Sequence, residues 1–154
     1  MLLTGSFSRT LDQKLRVAIP KEFRDGLGLE TSKGLFIAPG TDGSLTLYTE
    51  AGFAKLTERL ASSPPTQKDV RAFGRLFFAS ARRVELDKQG RVRLPTELAE
   101  RAALKKDVIL LGVHDHMELW DRERWEAYLA VKSPEYDAIA EAAFTVSRPG
   151  GGAT

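Results

Sequence analysis

The sequence predicts an α+β fold assembled from two copies of one β-hairpin and helix unit, and three observations predict it. "LDQKLRVAIPKEF" at 11–23 returns as "LDKQGRVRLPTEL" at 86–98. "LYTEAGFAKL" at 47–56 is answered by "LWDRERWEAY" at 119–128. Within each half, apolar residues first alternate with period two and then recur at helical spacing, so each copy carries strands followed by helices.

Each copy opens with an alternating strand, "SFSRTL" or "RRVEL", that has one buried face. The turns "DQKL" and "DKQG" follow. Asp12 and Asp87 stand at their entrances, where a carboxylate accepts bonds from backbone N–H groups two residues on. Gly90 suits a position of positive φ. Leu15 occupies the matching place in the first copy, where positive φ would cost a leucine ~1–2 kcal/mol, so the first turn is expected to take another shape. Strands "RVAIP" and "RVRLP" leave the turns and are stopped by Pro20 and Pro95, which suit the first helical position because proline lacks an N–H. Short helices are expected near 21–27 and 96–104. Hairpins follow in "GLFIAPGTDGSLTLY" and "DVILLGVHDHMELW". A helix then closes each half, with Thr49 and Asp121 as N-caps.

This organisation sets a first repeat at 1–63, a connecting helix at 64–80, a second repeat at 81–131, a C-terminal helix at 132–147 and a disordered tail at 148–154. In the connector "ASSPPTQKD", Thr66 and Asp69 are spaced as a capping box for the helix through "VRAFGRLFF". Val70, Phe73, Leu76 and Phe77 are its expected buried stripe. In the C-terminal helix, Tyr136, Ile139, Ala140, Ala143 and Phe144 form an apolar face that covers either its own core or a neighbouring subunit.

Composition narrows the function. The chain has 154 residues, no cysteine and a formal net charge of +2. Disulfides, thiolate metal sites and cysteine nucleophiles are therefore excluded. No apolar run approaches the ~20 residues of a membrane span, and the first residues lack a signal-peptide core, so a cytoplasmic protein is expected. Charge is unevenly spread: eight basic against three acidic residues lie between Lys68 and Arg93, whereas seven basic face eleven acidic from Leu94 onward. Such polarity suggests an anionic partner on one face.

No Ser/His/Asp set or nucleotide-binding glycine fingerprint is present, so an enzyme is not expected and no cofactor is implied. His114 and His116 could share a strand face and hold a metal, but "VHDH" falls where a hairpin turns, and turn residues are the preferred reading. "GTDGS" at 40–44 reads as another hairpin turn. Trp120 and Trp125 read as packing residues.

The strands after the two turns carry the candidate site. Val17 and Ile19, like Val92 and Leu94, face the core, which leaves Arg16, Arg91 and Arg93 on the outer face. Arginine at the mouth of a turn suits phosphate contact or bidentate reading of guanine. It also suits an Asp–Arg ion pair that pins the hairpin, and the two roles are compatible.

Two D-x-x-x-R turns, each followed by an apolar residue and proline, resemble the MraZ family of bacterial regulators, built from two AbrB-like (SpoVT-AbrB) repeats. "DKQGRVRLP" at 87–95 and "MELWDRERWEAYL" at 117–129 carry the resemblance most specifically, and "LTGSFSRTLDQKLRVAIPKEFR" follows the same layout. The resemblance implies a small β-barrel with flanking helices, its halves related by a pseudo-twofold axis. It implies a homo-oligomeric ring, associated with the nucleoid, that binds direct repeats in double-stranded promoter DNA and usually represses a division and cell-wall gene cluster. The implied contact residues are Arg16, Lys14 and Arg91; Arg9, Lys88 and Arg93 complete the candidate DNA-binding set. Asp12, Asp87 and Gly90 are the candidate turn-structuring residues. The alternative is an oligomeric protein-interaction scaffold that has lost specific DNA reading.

Overall fold

A computed structural model of the chain describes residues 2–29 and 34–146. The strands are β1 (Ser6–Thr10), β2 (Arg16–Ala18), β3 (Gly34–Pro39), β4 (Leu45–Thr49), β5 (Arg82–Glu85), β6 (Arg91–Arg93), β7 (Asp107–Val113) and β8 (His116–Asp121). The helices are α1 (Lys21–Gly26), α2 (Glu50–Ala61), α3 (Lys68–Ser80), α4 (Thr96–Arg101), α5 (Arg122–Lys132) and α6 (Tyr136–Val146), with a 3₁₀ turn at Ser133–Glu135. The fold is α+β, as the repeated hairpin–helix pattern predicts. The predicted tail at 148–154 lies outside the described residues.

The two copies are interleaved through the sheet. Its six strands run β1-β7-β8-β4-β3-β5, all neighbours antiparallel. The first strand of each copy therefore pairs with a hairpin of the other: β1 with β7, and β5 with β3. Central strands β4 and β8 meet across the pseudo-twofold axis. Past the edges, β1 and β5 turn into β2 and β6, which pair with each other as a separate antiparallel ribbon. That ribbon ties the two sheet edges together, and in this sense the arrangement is barrel-like.

Repeat-equivalent residues fill the core: Leu11 and Leu86, Val17 and Val92, Ile19 and Leu94, Phe23 and Leu98, Leu35 and Val108, Ile37 and Leu110, all buried. Phe7 meets Phe23 edge-on at 5.0 Å. On the other side of β3, Phe36 stacks on Phe53 of α2 at 4.2 Å, and Phe53 lies 5.9 Å from Phe77 of α3. Helices α2 and α3 are thereby attached to the sheet by aromatic contacts.

Thr49 caps α2, its hydroxyl accepting from Gly52 N–H at 3.0 Å. Asp121 precedes α5, and its carboxylate also accepts from Lys105 N–H at 3.1 Å. Three local expectations need correction. Pro20 and Pro95 are N-caps of α1 and α4, not first helical residues: their ψ angles of 141° and 135° remain extended, and their carbonyls accept the first helical bonds. Thr66 and Asp69 do not form a capping box, because a turn closed by Gln67 N–H on Pro64 O makes Gln67 the N-cap. Of the expected stripe on α3, only Phe77 is buried; Phe73 and Leu76 are 48% and 63% exposed.

The first turn also departs from expectation. Leu15 takes φ +60°, as Gly90 takes φ +75°, and the two turns have the same hydrogen bonds. Leu15 packs against the core cluster while its carbonyl accepts from Leu94 N–H at 2.8 Å, mirroring Gly90 O and Ile19 N–H at 2.9 Å. Partial burial of a leucine, worth roughly 1 kcal/mol, is comparable with the strain it carries.

The described residues from Glu123 on form a second compact unit. It comprises most of α5, the 3₁₀ turn opened by Ser133 and Pro134, and α6; Trp125 stacks on Tyr128 at 5.7 Å within α5.

Two substitutions separate backbone strain from packing at the turns. Leu15→Gly is expected to change unfolding free energy by less than about 1 kcal/mol, because relief of strain offsets lost burial. Gly90→Ala is expected to lose at least about 1–2 kcal/mol, since it acquires the strain without the burial and its Cβ must also displace the Arg24 guanidinium 2.8 Å away. Urea denaturation of both variants checks the pair.

Candidate nucleic-acid interface

Both turns are built around one carboxylate. Asp12 Oδ1 accepts from the backbone N–H of Lys14 at 2.9 Å and of Arg16 at 2.8 Å, while Oδ2 accepts from Arg16 Nε at 2.7 Å. Asp87 repeats this with Gln89 N–H, Arg91 N–H and Arg91 Nε, each at 2.9 Å. One oxygen shapes the loop and the other orients the guanidinium. The backbone N–H of Arg16 is the main cause that holds the Asp12 carboxyl below its ordinary value of 3.8, and the N–H of Arg91 does the same for Asp87. The Asp–Arg ion pair read from the sequence forms in both copies.

Pairing of β2 with β6 sets the arginines against each other. Val17 lies opposite Val92 at the centre, both buried beneath the ribbon. Arg16 lies opposite Arg93, and Ala18 opposite Arg91, so all four occupy the outer face. Directly opposed side chains stand about 4.5–5.5 Å apart at Cβ, and like charges so placed repel. Among the described residues, Arg16 and Arg91 have only their aspartates as side-chain partners, through Nε, and Arg93 has none. The Nη groups of Arg16 and Arg91 thus keep their donors for an outside acceptor.

Lys14 and Lys88 are exposed in the turns, at opposite ends of the ribbon. Gly90 is buried because the Arg24 guanidinium lies over it, 2.8 Å from where a Cβ would stand. Arg9 is not at the turn: it lies on β1 with its guanidinium over Phe7 at 5.7 Å and its Nη1 donating to Ser8 O at 2.8 Å. Sequence reasoning missed the cross-strand register and the cover of Gly90 by Arg24. The shared R-V core of "RVA" and "RVR" could have suggested that these strands pair with each other about their valines.

Elsewhere, "GTDGS" forms the β3–β4 turn, closed by Gly40 N–H on Ser44 O at 2.8 Å. Trp120 is buried. His114 sits in the β7–β8 turn at φ +63°, while Asp115 accepts from His116 Nδ1 at 2.9 Å. Among the described residues no group of three or more His, Asp or Glu side chains could hold a metal ion. Nor is any described helix long and apolar enough to cross a membrane.

A family model described as "MraZ protein, putative antitoxin-like" matches residues 2–76 and again 77–147. The chain belongs to the MraZ family. Proteins named transcriptional regulator MraZ are similar to it over nearly their whole lengths. That of Moorella thermoacetica is 41% identical, covering 91% of this chain and 95% of its own. That of Acetivibrio thermocellus is 42% identical over 89% and 93%, and that of Salinispora tropica 39% over 91% and 96%. The two MraZ matches fall on the two interleaved copies, so each match supplies one Asp–Arg turn.

Because both carboxyls titrate below 3.8, the turns' stability is fully present above that value and is lost as acidification passes the lowered folded-state values. An NMR titration of the side-chain carboxyl carbons is expected to give midpoints below 3.8 for Asp12 and Asp87. A midpoint at or above the ordinary aspartate value for either would refute the hydrogen-bond account of that turn.

Proposed function

We propose that this chain is a DNA-binding transcriptional regulator and not an enzyme. Its ribbon β2–β6 enters a groove of double-stranded DNA, and it acts as a repressor of a division and cell-wall gene cluster. The observation that carries the reading is the ribbon's outer face, where Arg16 and Arg93 are directly opposed beside Arg91. An anion laid on this face meets Arg93, unpaired among the described residues, and the Nη donors that Arg16 and Arg91 keep free of their aspartates. A major groove ≈12 Å wide admits a two-stranded ribbon. Lys14, Lys88 and Arg93 contact phosphates and supply affinity, whereas the aspartate-braced Arg16 reads a base edge. Arg9, held on Phe7, contributes at most a peripheral phosphate contact. The regulator names of the relatives support the same reading.

A single ribbon is a small contact. A homo-oligomeric ring presenting several ribbons to direct repeats gains avidity of about 10²–10⁴ where spacing allows. Head-to-tail subunits suit direct repeats, as two-fold dimers suit palindromes. The protein then works in the cytoplasm at the nucleoid. A scaffold without DNA reading would be favoured by a distorted first turn, whereas the Leu15 turn keeps the geometry of its partner.

Arg16→Ala is expected to weaken specific binding by about ten- to a hundredfold, the worth of one bidentate base contact. Arg91→Ala is expected to have a smaller effect. Titration of labelled duplex from the gene's own upstream region, at several salt concentrations, measures both. Wild-type affinity of Arg16→Ala for this duplex at every salt concentration would overturn the assignment.

A further inference from the structure

We infer that helix α6 of one copy docks in the groove between α2 and α3 of a second copy, and that this contact links subunits head to tail. The inference rests on the ring reading above and names the surfaces that would make it. The groove has a volume of about 330 Å³ and is lined by Leu60 on α2 and by Val70, Phe73, Gly74 and Phe78 on α3. Phe73, Leu76 and Phe78 are 48%, 63% and 45% exposed, which is unusual for three large apolar residues on one short helix.

Gly74 lies in the interior of α3, where glycine costs about 1 kcal/mol relative to alanine. A Cβ there would meet nothing within 4 Å, so the glycine is not required by the fold of its own chain. It does leave the groove floor open to the backbone or side chains of an incoming helix.

The second surface fits the first in shape and charge. Tyr136, Ile139 and Val146 recur at the spacing of one helical stripe and are 72%, 43% and 87% exposed. Eleven residues of helix span about 16 Å, within the roughly 20 Å of the thirteen-residue α3. An amphipathic helix laid in an apolar groove is a recurrent mode of recognition. Residues 133–146 carry Glu135, Asp137 and Glu141 and no basic residue, while α3 carries Lys68, Arg71 and Arg75 against Asp69 alone. An acidic helix thus meets a helix of net positive charge, whose one acidic residue, Asp69, lines the groove. Because groove and helix are different surfaces, the contact is heterologous, the kind that closes rings.

The absence of native cysteine permits a direct test with full-length chains. Gly74→Cys and Ile139→Cys variants are mixed, oxidised and run on a denaturing gel beside the double variant, with light scattering for assembled mass. The expected result is a covalent dimer in the mixture and covalent multimers from the double variant. Gly74→Trp, which fills the groove, should reduce the mass to that of a monomer, whereas Gly74→Ala should leave it unchanged. Assembled wild-type protein with no mixed disulfide, and full mass for Gly74→Trp, would overturn the docking and leave the ring standing. Wild-type protein of monomer mass would remove both. A double variant that closes only within one chain would place α6 on its own groove and overturn the inference.

Discussion

Val17 against Val92 is the contact on which the arrangement turns. The two valines lie at the centre of a three-residue ribbon and are fully buried. Their pairing fixes the register of Arg16 with Arg93 and holds both turns at the ends of the same ribbon. It also joins the strands that continue from the edges of the six-stranded sheet. Slippage by one residue would drive the arginines inward and turn the valines to solvent, since side chains alternate with period two. The charged face is therefore kept outward by a hydrophobic contact beneath it.

The duplication is near-symmetric, and its departures are informative. Arg24 and Ala99 hold equivalent places in α1 and α4, as Leu15 and Gly90 do in the turns. Arg24 donates to Ile19 O at 3.2 Å and covers Gly90, leaving no room there for a side chain. At the symmetry-related place the second copy's α4 has the small, buried Ala99 and the first copy's turn has Leu15. Large and small residues have exchanged places between helix and turn. The backbone is common to both copies, so the carboxylate and its two N–H donors are preserved although one turn uses a leucine at positive φ.

Much of this was legible in the sequence because it is local. The Asp turns, the outward arginines, both hairpins and the Thr49 cap each follow from residues within a few positions of one another. The interleaving of strands was not legible, since "SFSRTL" pairs equally well on paper with either hairpin. The pairing of β2 with β6 joins strands seventy-odd residues apart, and only the buried valines specify it. The failures on α3 have a different origin. Phe73 and Leu76 have the spacing of a buried stripe, yet helical periodicity states which residues share a face and not whether that face is covered. Likewise Thr66 and Asp69 satisfy a pattern that the turn at Pro64 displaces by one position.

The three arginines of the ribbon are chemically unequal, and the inequality bears on how a groove would be read. Arg16 and Arg91 are each paired with a carboxylate at 2.7 and 2.9 Å, so each turn adds little net charge through them. Their attraction for a distant polyanion is correspondingly weak. What the pairing supplies is orientation: Nε is occupied, the plane of the guanidinium is set, and the Nη donors are held ready for a bidentate acceptor. Arg93, Lys14 and Lys88 lack that bracing and carry their full charge on mobile stems, which suits phosphates and tolerates any sequence. On the proposed reading, affinity and selectivity therefore reside in different residues of one small face. The aspartates give up some attraction so that two of its cations become directional.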